Sequence, residues 1–181
     1  FDILGPAISM LEEVTEEAPY LEPGRWRLVD SNYYRRIEAL EFAVKHDDGR
    51  SVHDIKKADL VLIGISRTSK TPLSIYLALR GLRVANVPLV LGLEPPREIF
   101  DISHKKMIGL TIEAQALAEI RSRRIEVLQG KNNGYMKMSS ILNEIEQAEA
   151  TMRKIGCRII NVTHKAVEEI ASEILRYKSN L

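Results

Sequence analysis

The sequence contains little cysteine, no excess of either charge and no long apolar run, and each shortage excludes a class of protein. Cys157 is the only cysteine in 181 residues, so one chain cannot form an internal disulfide or a cysteine-based zinc site. Lysine and arginine number 26 against 25 aspartates and glutamates, a formal charge of +1 that gives no global field for nucleic acid or anionic lipid. No apolar run approaches the ~20 residues of a membrane-spanning helix. We therefore expect no nucleic-acid or membrane partner, and a cytoplasmic location.

The start of the chain is also unusual. Phe1 stands where an initiator methionine would, and no basic targeting segment follows it. This start is typical of a fragment or a processed chain, so we expect part of an N-terminal region to be missing. Because the overall charge is near zero, any anion that the protein binds must be held by a local arrangement of groups.

Strand and helix patterns alternate from residue 59 onward. The apolar run at 60–63, bounded by Asp59 and Gly64, predicts a strand buried on both faces. Further strands are predicted at 84–90, 107–110 and 157–162, with helices between them. Thr111 and Thr163 are expected to cap the helices that follow the last two strands. This alternation predicts an α/β fold with a mainly parallel sheet covered by helices.

Residues 1–57 are predicted to be a helical N-terminal segment, and residues 58–181 an α/β nucleotide-binding, catalytic domain. Two amphipathic patterns, at 31–46 and 136–155, predict long helices. These helices could pair in a homodimer or cover the sheet, and the pattern does not distinguish the two arrangements.

The segment after the first predicted strand carries the most information. It nearly matches the phosphate-binding pattern G-x-x-x-x-G-K-[ST] and reads Gly64-Ile65-Ser66-Arg67-Thr68-Ser69-Lys70-Thr71. In such a loop the backbone N–H groups cradle phosphate oxygens, and the following helix adds the positive end of its dipole. One departure is Ser69, which replaces the second glycine of the pattern. The alternative interpretation is an ordinary polar connection between a strand and a helix.

Two residues of the loop have specific chemical assignments. Lys70 is predicted to neutralise charge on a transferring phosphoryl group. A lysine at a helix start is disfavoured by the dipole unless an anion lies there, which favours this role. Thr71 is predicted to be a Mg²⁺ ligand, with a simple N-cap as the alternative. The other loop residues would mainly offer backbone N–H groups, although Arg67 could also clamp a phosphate.

Several segments together resemble the pyruvate, phosphate dikinase regulatory proteins. Residues 58–96 are similar to the family's central signature, in which a G-[IV]-S-R-T-S-K-T-P loop and a helix precede A-N-V-P-L-V. Residues 36–49 match its R-I-E-A-[ILM]-E-F-[AT]-[IVL]-x-H-D-D-G block, and residues 162–169 its closing V-T-x-[KR]-[AS]-[IV]-E-E. A serine before the lysine is normal in this group, whereas the related phosphoenolpyruvate synthase regulators more often have glycine. Ser69 therefore favours the dikinase branch.

The resemblance implies a bifunctional serine/threonine kinase and phosphorylase. Such proteins transfer the β-phosphate of ADP to a threonine of pyruvate, phosphate dikinase and so inactivate it. With inorganic phosphate they remove that group, release pyrophosphate and restore activity. The expected ligands are thus ADP, phosphate or pyrophosphate, and Mg²⁺. The partner would be the dikinase, or the related phosphoenolpyruvate synthase.

A second cluster, His46-Asp47-Asp48, ends the helix predicted at 31–46. Phosphoryl transfer benefits from a base and from carboxylates that hold a metal, and the family block contains these residues. The alternative is a polar turn before Gly49. We predict a catalytic role for His46, Asp47 and Asp48, without choosing which carboxylate serves as base or metal ligand.

Three arginines on one predicted helix, Arg121, Arg123 and Arg124, are interpreted as a solvated face, with phosphate or partner contact as the alternative. Two other functions remain open for the whole chain. One is an ATP-dependent kinase of a small molecule, and the other is a non-catalytic module that senses a nucleotide.

Overall fold

The computed structural model describes residues 4–19, 31–49, 51, 53–128 and 137–179. The chain forms two compact units, residues 1–30 and residues 31–181. In the first unit, helix α1 spans Leu4–Thr15, within the segment predicted to be helical. Within the described residues, no helix combines the length and the apolar character needed to cross a membrane.

A parallel sheet organises the second unit. Its strands are β1 (Leu60–Gly64), β2 (Val84–Pro88), β3 (Met107–Thr111) and β4 (Arg158–Asn161). They lie in the order β2-β1-β3-β4, and every neighbouring pair is parallel. All five residues of β1 are buried, as expected for a central strand covered on both faces. The predicted α/β class and its parallel sheet are confirmed.

The helices that accompany the sheet include the two predicted at 31–46 and 136–155, which begin and end within two residues of those bounds. The helices beside the sheet are α2 (Ser31–Lys45), α3 (Lys70–Ala78), α4 (Ala114–Leu128), α5 (Met138–Ile155) and α6 (Val167–Ser179). Short 3₁₀ turns connect several elements, at Asp47–Gly49, Ile55–Lys57, Arg97–Asp101 and His104–Lys106. Helix α2, which the sequence assigned to the N-terminal segment, packs against α3 and β2.

The core lies on both faces of the sheet. Side chains from β1, β2 and β3 pack with apolar residues of α3, α5 and α6 in one continuous cluster. Gly109 lets α5 approach β3 closely, because a Cβ there would lie 2.5 Å from the sulfur of Met152. A smaller alanine cluster of Ala39, Ala43 and Ala78 joins α2 to α3. The helices thus pack closely against the sheet and, through the alanine cluster, against each other.

Two predicted helix caps are wrong. Thr111 is the last residue of β3, and its hydroxyl donates to Glu149 Oε1 at 2.7 Å instead of capping α4. Thr163 lies four residues before α6, and its hydroxyl accepts a hydrogen bond from the backbone N–H of Glu113 at 2.9 Å. Both threonines therefore tie neighbouring segments together across the carboxyl edge of the sheet.

Candidate functional site

The loop between β1 and α3 lies where the chain reverses its direction of travel across the sheet. From β1 the chain crosses to β2 on one side, and it then returns to β3 on the other side. Open parallel sheets bind ligands at such a switch point, outside the carboxyl ends of the strands. The N-terminus of α3 points to this edge, so its unpaired backbone N–H groups and dipole favour an anion there.

The loop keeps its shape by close packing and by left-handed backbone at two positions. A Cβ at Gly64 would lie 2.6 Å from the carbonyl O of Leu110, so only glycine fits at the end of β1. Arg67 and Ser69 have φ values of 71° and 60°. The buried Thr68 hydroxyl donates to Ile65 O at 2.9 Å and braces the turn from inside. Ser69 thus adopts the conformation for which the pattern usually uses glycine.

Lys70 begins α3, and its side chain folds back over the loop. It is 5% exposed, and Nζ donates to Ile65 O at 2.7 Å. Burial lowers the pKa of Lys70 to about 8, although the nearby carboxylates of Asp48 and Asp47 raise it and Arg67 lowers it further. Because burial removes the ammonium group of Lys70 from water, a bound anion would stabilise it by replacing the lost hydration.

A pocket of about 380 Å³ opens in front of this loop. It is lined by Asp48, Ser66, Arg67, Ser69, Lys70, Thr71, Pro72 and Ile120. The structure therefore brings five of the eight predicted loop residues and one residue of the His46-Asp47-Asp48 cluster to the same cavity. Asp48 is exposed there and has a left-handed backbone, with φ 51°.

The other carboxylate of that cluster faces the first turn of α3. The Thr71 hydroxyl donates to Asp47 Oδ1 at 2.9 Å, and the Asn86 amide donates to the same oxygen. Asn86 Nδ2 also lies 3.3 Å from Thr71 Oγ1. Since Asn86 is 1% exposed and belongs to β2, it fixes the Asp47 carboxylate against the loop. Asp47 and Thr71, which are 24 residues apart, thus form one hydrogen-bonded group.

His46 occupies a different position from the two aspartates. Its ring is 2% exposed, stacks on Phe42 at 3.9 Å and donates from Nδ1 to Phe42 O at 2.8 Å. Its backbone carbonyl accepts from the N–H of Asn86 at 3.0 Å. These contacts attach the end of α2 to β2, and they place the Asp47 and Asp48 turn beside the phosphate loop.

Arg121 approaches the loop from the opposite side, and the solvated face predicted for it is wrong. The side chain is 1% exposed, and Nη2 donates to Ser66 Oγ at 2.9 Å. The same nitrogen lies 2.8 Å from Glu144 Oε2 on α5. Because helix periodicity predicts exposure only on average, it could not show that this arginine points inward. Arg123 and Arg124 are exposed, as predicted.

The donor set at this edge is suited to a hard cation. Thr71 supplies a hydroxyl, and Asp47 and Asp48 supply carboxylates beside it. Mg²⁺ prefers oxygen ligands and is commonly held by one or two carboxylates together with substrate phosphates and water. Within the described residues, no group of three histidine, cysteine, aspartate or glutamate side chains could hold a metal without such help.

Three residues of the site were not assigned from the sequence. Asn86 gave one weak signal, its position in the second predicted strand of a parallel sheet. Arg121 was visible only as a cation on a helix, and Glu144 as one of many acidic residues on an amphipathic helix. Their contacts with the loop depend on how α4 and α5 pack, which no local pattern reveals.

Comparison with known proteins gives a consistent result. Residues 1–175 match the model of a family described as kinase/pyrophosphorylase. The chain is 49% identical over 175 residues to a protein of Syntrophomonas wolfei provisionally named pyruvate, phosphate dikinase regulatory protein 2. Proteins with corresponding provisional names from Alkaliphilus oremlandii and Halalkalibacterium halodurans are 50% and 51% identical. Each alignment covers 96% of this chain and 63% or 64% of the relative, so the chain spans less than two thirds of their length.

Proposed function

The chain belongs to the kinase/pyrophosphorylase family, and on this premise we propose that it catalyses both halves of a reversible regulatory phosphorylation. In one direction it transfers the β-phosphate of ADP to a threonine of pyruvate, phosphate dikinase and inactivates that enzyme. In the other it uses inorganic phosphate to remove the group, which releases pyrophosphate and reactivates the enzyme. The dikinase is proposed as target because the relatives' names specify it.

The observation that carries the proposal is the composition of the pocket at the switch point. Lys70, the N-terminus of α3 and Arg67 supply positive charge, and Thr71 and Asp48 supply oxygen ligands within the same cavity. Phosphoryl transfer needs mainly positioning and charge stabilisation of the phosphoryl oxygens, so this set of groups is sufficient in kind. Both proposed directions handle two linked phosphates, which one phosphate loop can hold.

In the kinase direction, the threonine hydroxyl oxygen attacks the β-phosphorus of ADP. The bond from that phosphorus to the bridging oxygen breaks, AMP leaves, and the hydroxyl proton passes to a base. Asp48 is the proposed base, because it is exposed at the pocket. Lys70 would stabilise charge on the transferring phosphoryl oxygens.

In the phosphorylase direction, an oxygen of inorganic phosphate attacks the phosphorus of the phosphothreonine. The bond to the threonine oxygen breaks, pyrophosphate forms, and the threonine oxygen takes up a proton. Asp48, protonated in the first reaction, can supply this proton when the chemistry runs the other way. The same charged loop therefore serves both reactions.

Asp47 has a separate role in this proposal. Its carboxylate accepts from Thr71 and Asn86, so it orients the Thr71 hydroxyl rather than meeting the threonine substrate. Thr71 and Asp47 would hold Mg²⁺ together with the phosphates, so that Asp48 remains available as the base. A bound Mg²⁺ would neutralise phosphate charge and keep the two phosphates in place.

The test uses ADP radiolabelled in its β-phosphate, purified dikinase, and this chain or its Lys70→Ala variant. We expect label on a dikinase threonine with the original chain, and a loss of roughly 100-fold or more in rate with the variant. Adding inorganic phosphate should release labelled pyrophosphate. Calorimetric titration of ADP, ATP and pyrophosphate with Mg²⁺ should show preference for ADP over ATP.

Other outcomes would point to the alternatives. Tighter binding of ATP than of ADP, with no label on the dikinase, would favour a small-molecule kinase. Binding of ADP without any transfer would favour a nucleotide-sensing module. If transfer proceeds equally well with phosphoenolpyruvate synthase in place of the dikinase, the proposed target is too narrow.

A further inference from the structure

A second pocket, of about 270 Å³, adjoins the phosphate pocket at the carboxyl ends of β3 and β4. Its walls include four aliphatic residues from the β3–α4 segment, from α4 and from the end of β4, namely Ile112, Ala116, Ile120 and Val162. Three of them are at most 6% exposed, whereas Ile120 is 41% exposed at the mouth. The pocket thus has an apolar floor that is open to solvent on one side.

The walls of this second pocket are fixed by hydrogen bonds between the strand ends. The N–H of Val162 donates to Thr111 O at 2.8 Å, and the N–H of Glu113 donates to Thr163 Oγ1 at 2.9 Å. Thr163 N–H in turn donates to Asn161 Oδ1 at 2.8 Å. These bonds join the β3–α4 segment to the segment after β4, so the apolar floor is preformed, as is usual for small-molecule sites.

The two pockets share part of their lining. Arg67, Ser69 and Ile120 belong to both, so a ligand with its phosphates on the loop can extend directly into the second pocket. Arg67 Nε is buried and has no hydrogen-bond partner among the described residues. Taken together, the two cavities are comparable with the ~300–1,000 Å³ of typical small-molecule sites.

The chemistry of the second pocket differs from that of the first. Its floor is aliphatic, and its polar lining includes the cations Arg123 and Lys165, the carboxylate of Glu119 and the imidazole of His164. With Arg67, which also lines the pocket, three cations face one carboxylate. The charge of Lys165 is partly neutralised, because its Nζ forms an ion pair with Glu173 at 3.0 Å. A flat heterocycle fits an aliphatic floor, and a cationic rim favours a ligand that also carries negative charge.

The geometry of in-line transfer indicates which substrate group lies on the side of β3 and β4. The attacking and leaving oxygens lie on opposite sides of the transferred phosphorus. The proposed base Asp48 and the Asp47–Thr71 pair lie towards α2 and β2, so the threonine would approach from there. The leaving group carries the nucleoside, which must therefore extend to the other side, towards β3 and β4.

We propose that this second pocket binds the nucleoside part of the diphosphate donor, with the base against Ile112, Ala116, Ile120 and Val162. This inference rests on the proposed function, because it takes the donor to be a nucleoside diphosphate. Pyrophosphate, which lacks a nucleoside, would occupy the phosphate pocket alone. The two ligands should therefore respond differently to changes in the apolar floor.

The experiment compares ADP and pyrophosphate, each titrated with Mg²⁺ into the full chain and its variants. Ala116→Leu fills the floor, and Ile120→Ala removes an apolar contact at an exposed position, where folding is not at risk. We expect ADP to bind roughly tenfold or more weakly to Ala116→Leu, and several-fold more weakly to Ile120→Ala. For Ala116→Leu, pyrophosphate affinity should stay within about twofold of the original chain, because Ala116 does not line the phosphate pocket. Ala150→Leu, the same substitution at an exposed position of α5, is the matched control.

Each contrary result has a definite meaning. If ADP affinity is unchanged in both variants, the pocket does not hold the nucleoside. If ADP affinity is unchanged but the KM for the dikinase rises, the pocket binds the target protein instead of the nucleoside. That result also overturns the proposal. Equal losses of ADP and pyrophosphate affinity would show an effect on the loop, again contrary to it. If the original chain binds pyrophosphate but not ADP, the nucleoside pocket fails while the phosphate loop stands. If it binds neither, the proposed function fails as well.

Discussion

The phosphate loop is supported differently on its two sides. On the side of β2, the loop meets small acidic and amide groups, and one oxygen of Asp47 accepts from both Thr71 and Asn86. On the side of α4 and α5, it is held by one long cation, since Arg121 spans from Ser66 to Glu144. The first arrangement places carboxylate oxygens beside the loop, whereas the second supplies a buried ion pair that anchors it.

This difference separates the functions that each side can perform. Carboxylates beside the loop can hold a cation or accept a proton, and Asp48 is accessible for either role because it is exposed at the pocket. A buried arginine that is already paired stabilises one loop conformation, because moving it would leave Glu144 without its ion pair. Chemistry is therefore expected from the α2–β2 side, and rigidity from the α4–α5 side.

The largest effect is expected from breaking the anchor. Glu144→Ala removes the carboxylate from Arg121, which is 1% exposed, and should lower the free energy of unfolding by about 3 kcal/mol. Replacing both residues with apolar ones, Arg121→Met with Glu144→Leu, should recover much of that loss, because no uncompensated charge is then buried. Urea denaturation followed by circular dichroism measures both.

Arg123→Ala is the matched control for this experiment. It removes an exposed cation from the same helix and should change the free energy of unfolding by less than about 0.5 kcal/mol. An equal and small effect of Glu144→Ala and Arg123→Ala would mean that the Arg121–Glu144 pair does not anchor the loop.

The next effect concerns Lys70, whose charge depends on both sides. Burial lowers its pKa to about 8, Asp48 and Asp47 raise it, and Arg67 lowers it. A bound diphosphate favours the ammonium form, so affinity should be highest below pH 8 and fall as pH rises above it. The decrease should approach about tenfold per pH unit until the pKa of the complex is reached. Calorimetric titration of pyrophosphate between about pH 7 and 9.5 tests this.

Removing a carboxylate beside the loop and removing the arginine of the loop itself should move this pH dependence in opposite directions. Asp48→Asn removes a charge that raises the pKa of Lys70, so affinity should begin to fall at lower pH. Arg67→Ala removes a charge that lowers it, so the fall should begin at higher pH. The position of the fall is the readout, because either variant can also change affinity directly. A fall at the same pH in all three proteins would show that neither Asp48 nor Arg67 controls the charge of Lys70.

Much of the scaffold could be predicted because its signals are local. β1 was evident from a continuous apolar run, and residues 60–63 of the prediction lie within the observed Leu60–Gly64. The loop was evident because Lys70 and Thr71 follow Gly64 at a fixed spacing that phosphate binding requires. The helix expected after this loop begins at Lys70, the lysine that the sequence placed at a helix start.

What the sequence could not reveal depends on contacts between distant segments. Arg121 meets Glu144 across 23 residues, and its inward direction follows from how α4 and α5 pack. Thr111 and Thr163 have the composition of helix caps, but their hydroxyls bond across the edge of the sheet. The pairing of Asp47 with Thr71 likewise needs the α2–β2 contact, although both residues were candidates from the start.

The smallest effect is expected at Ser69, the one departure of the loop from the general pattern. Its φ of 60° and ψ of 22° are left-handed, a conformation that costs a residue with a Cβ about 1–2 kcal/mol and glycine very little. Ser69→Gly should therefore raise the free energy of unfolding, but only by about 0.5 kcal/mol, because glycine also gains freedom in the unfolded chain. Ser69→Ala, which keeps the Cβ and loses the hydroxyl, should give no such gain. Both variants should bind pyrophosphate as the original chain does, since the loop offers phosphate its backbone N–H groups. If Ser69→Ala instead binds pyrophosphate markedly more weakly, the serine hydroxyl contacts the phosphate directly, and Ser69 is more than a substitute for glycine.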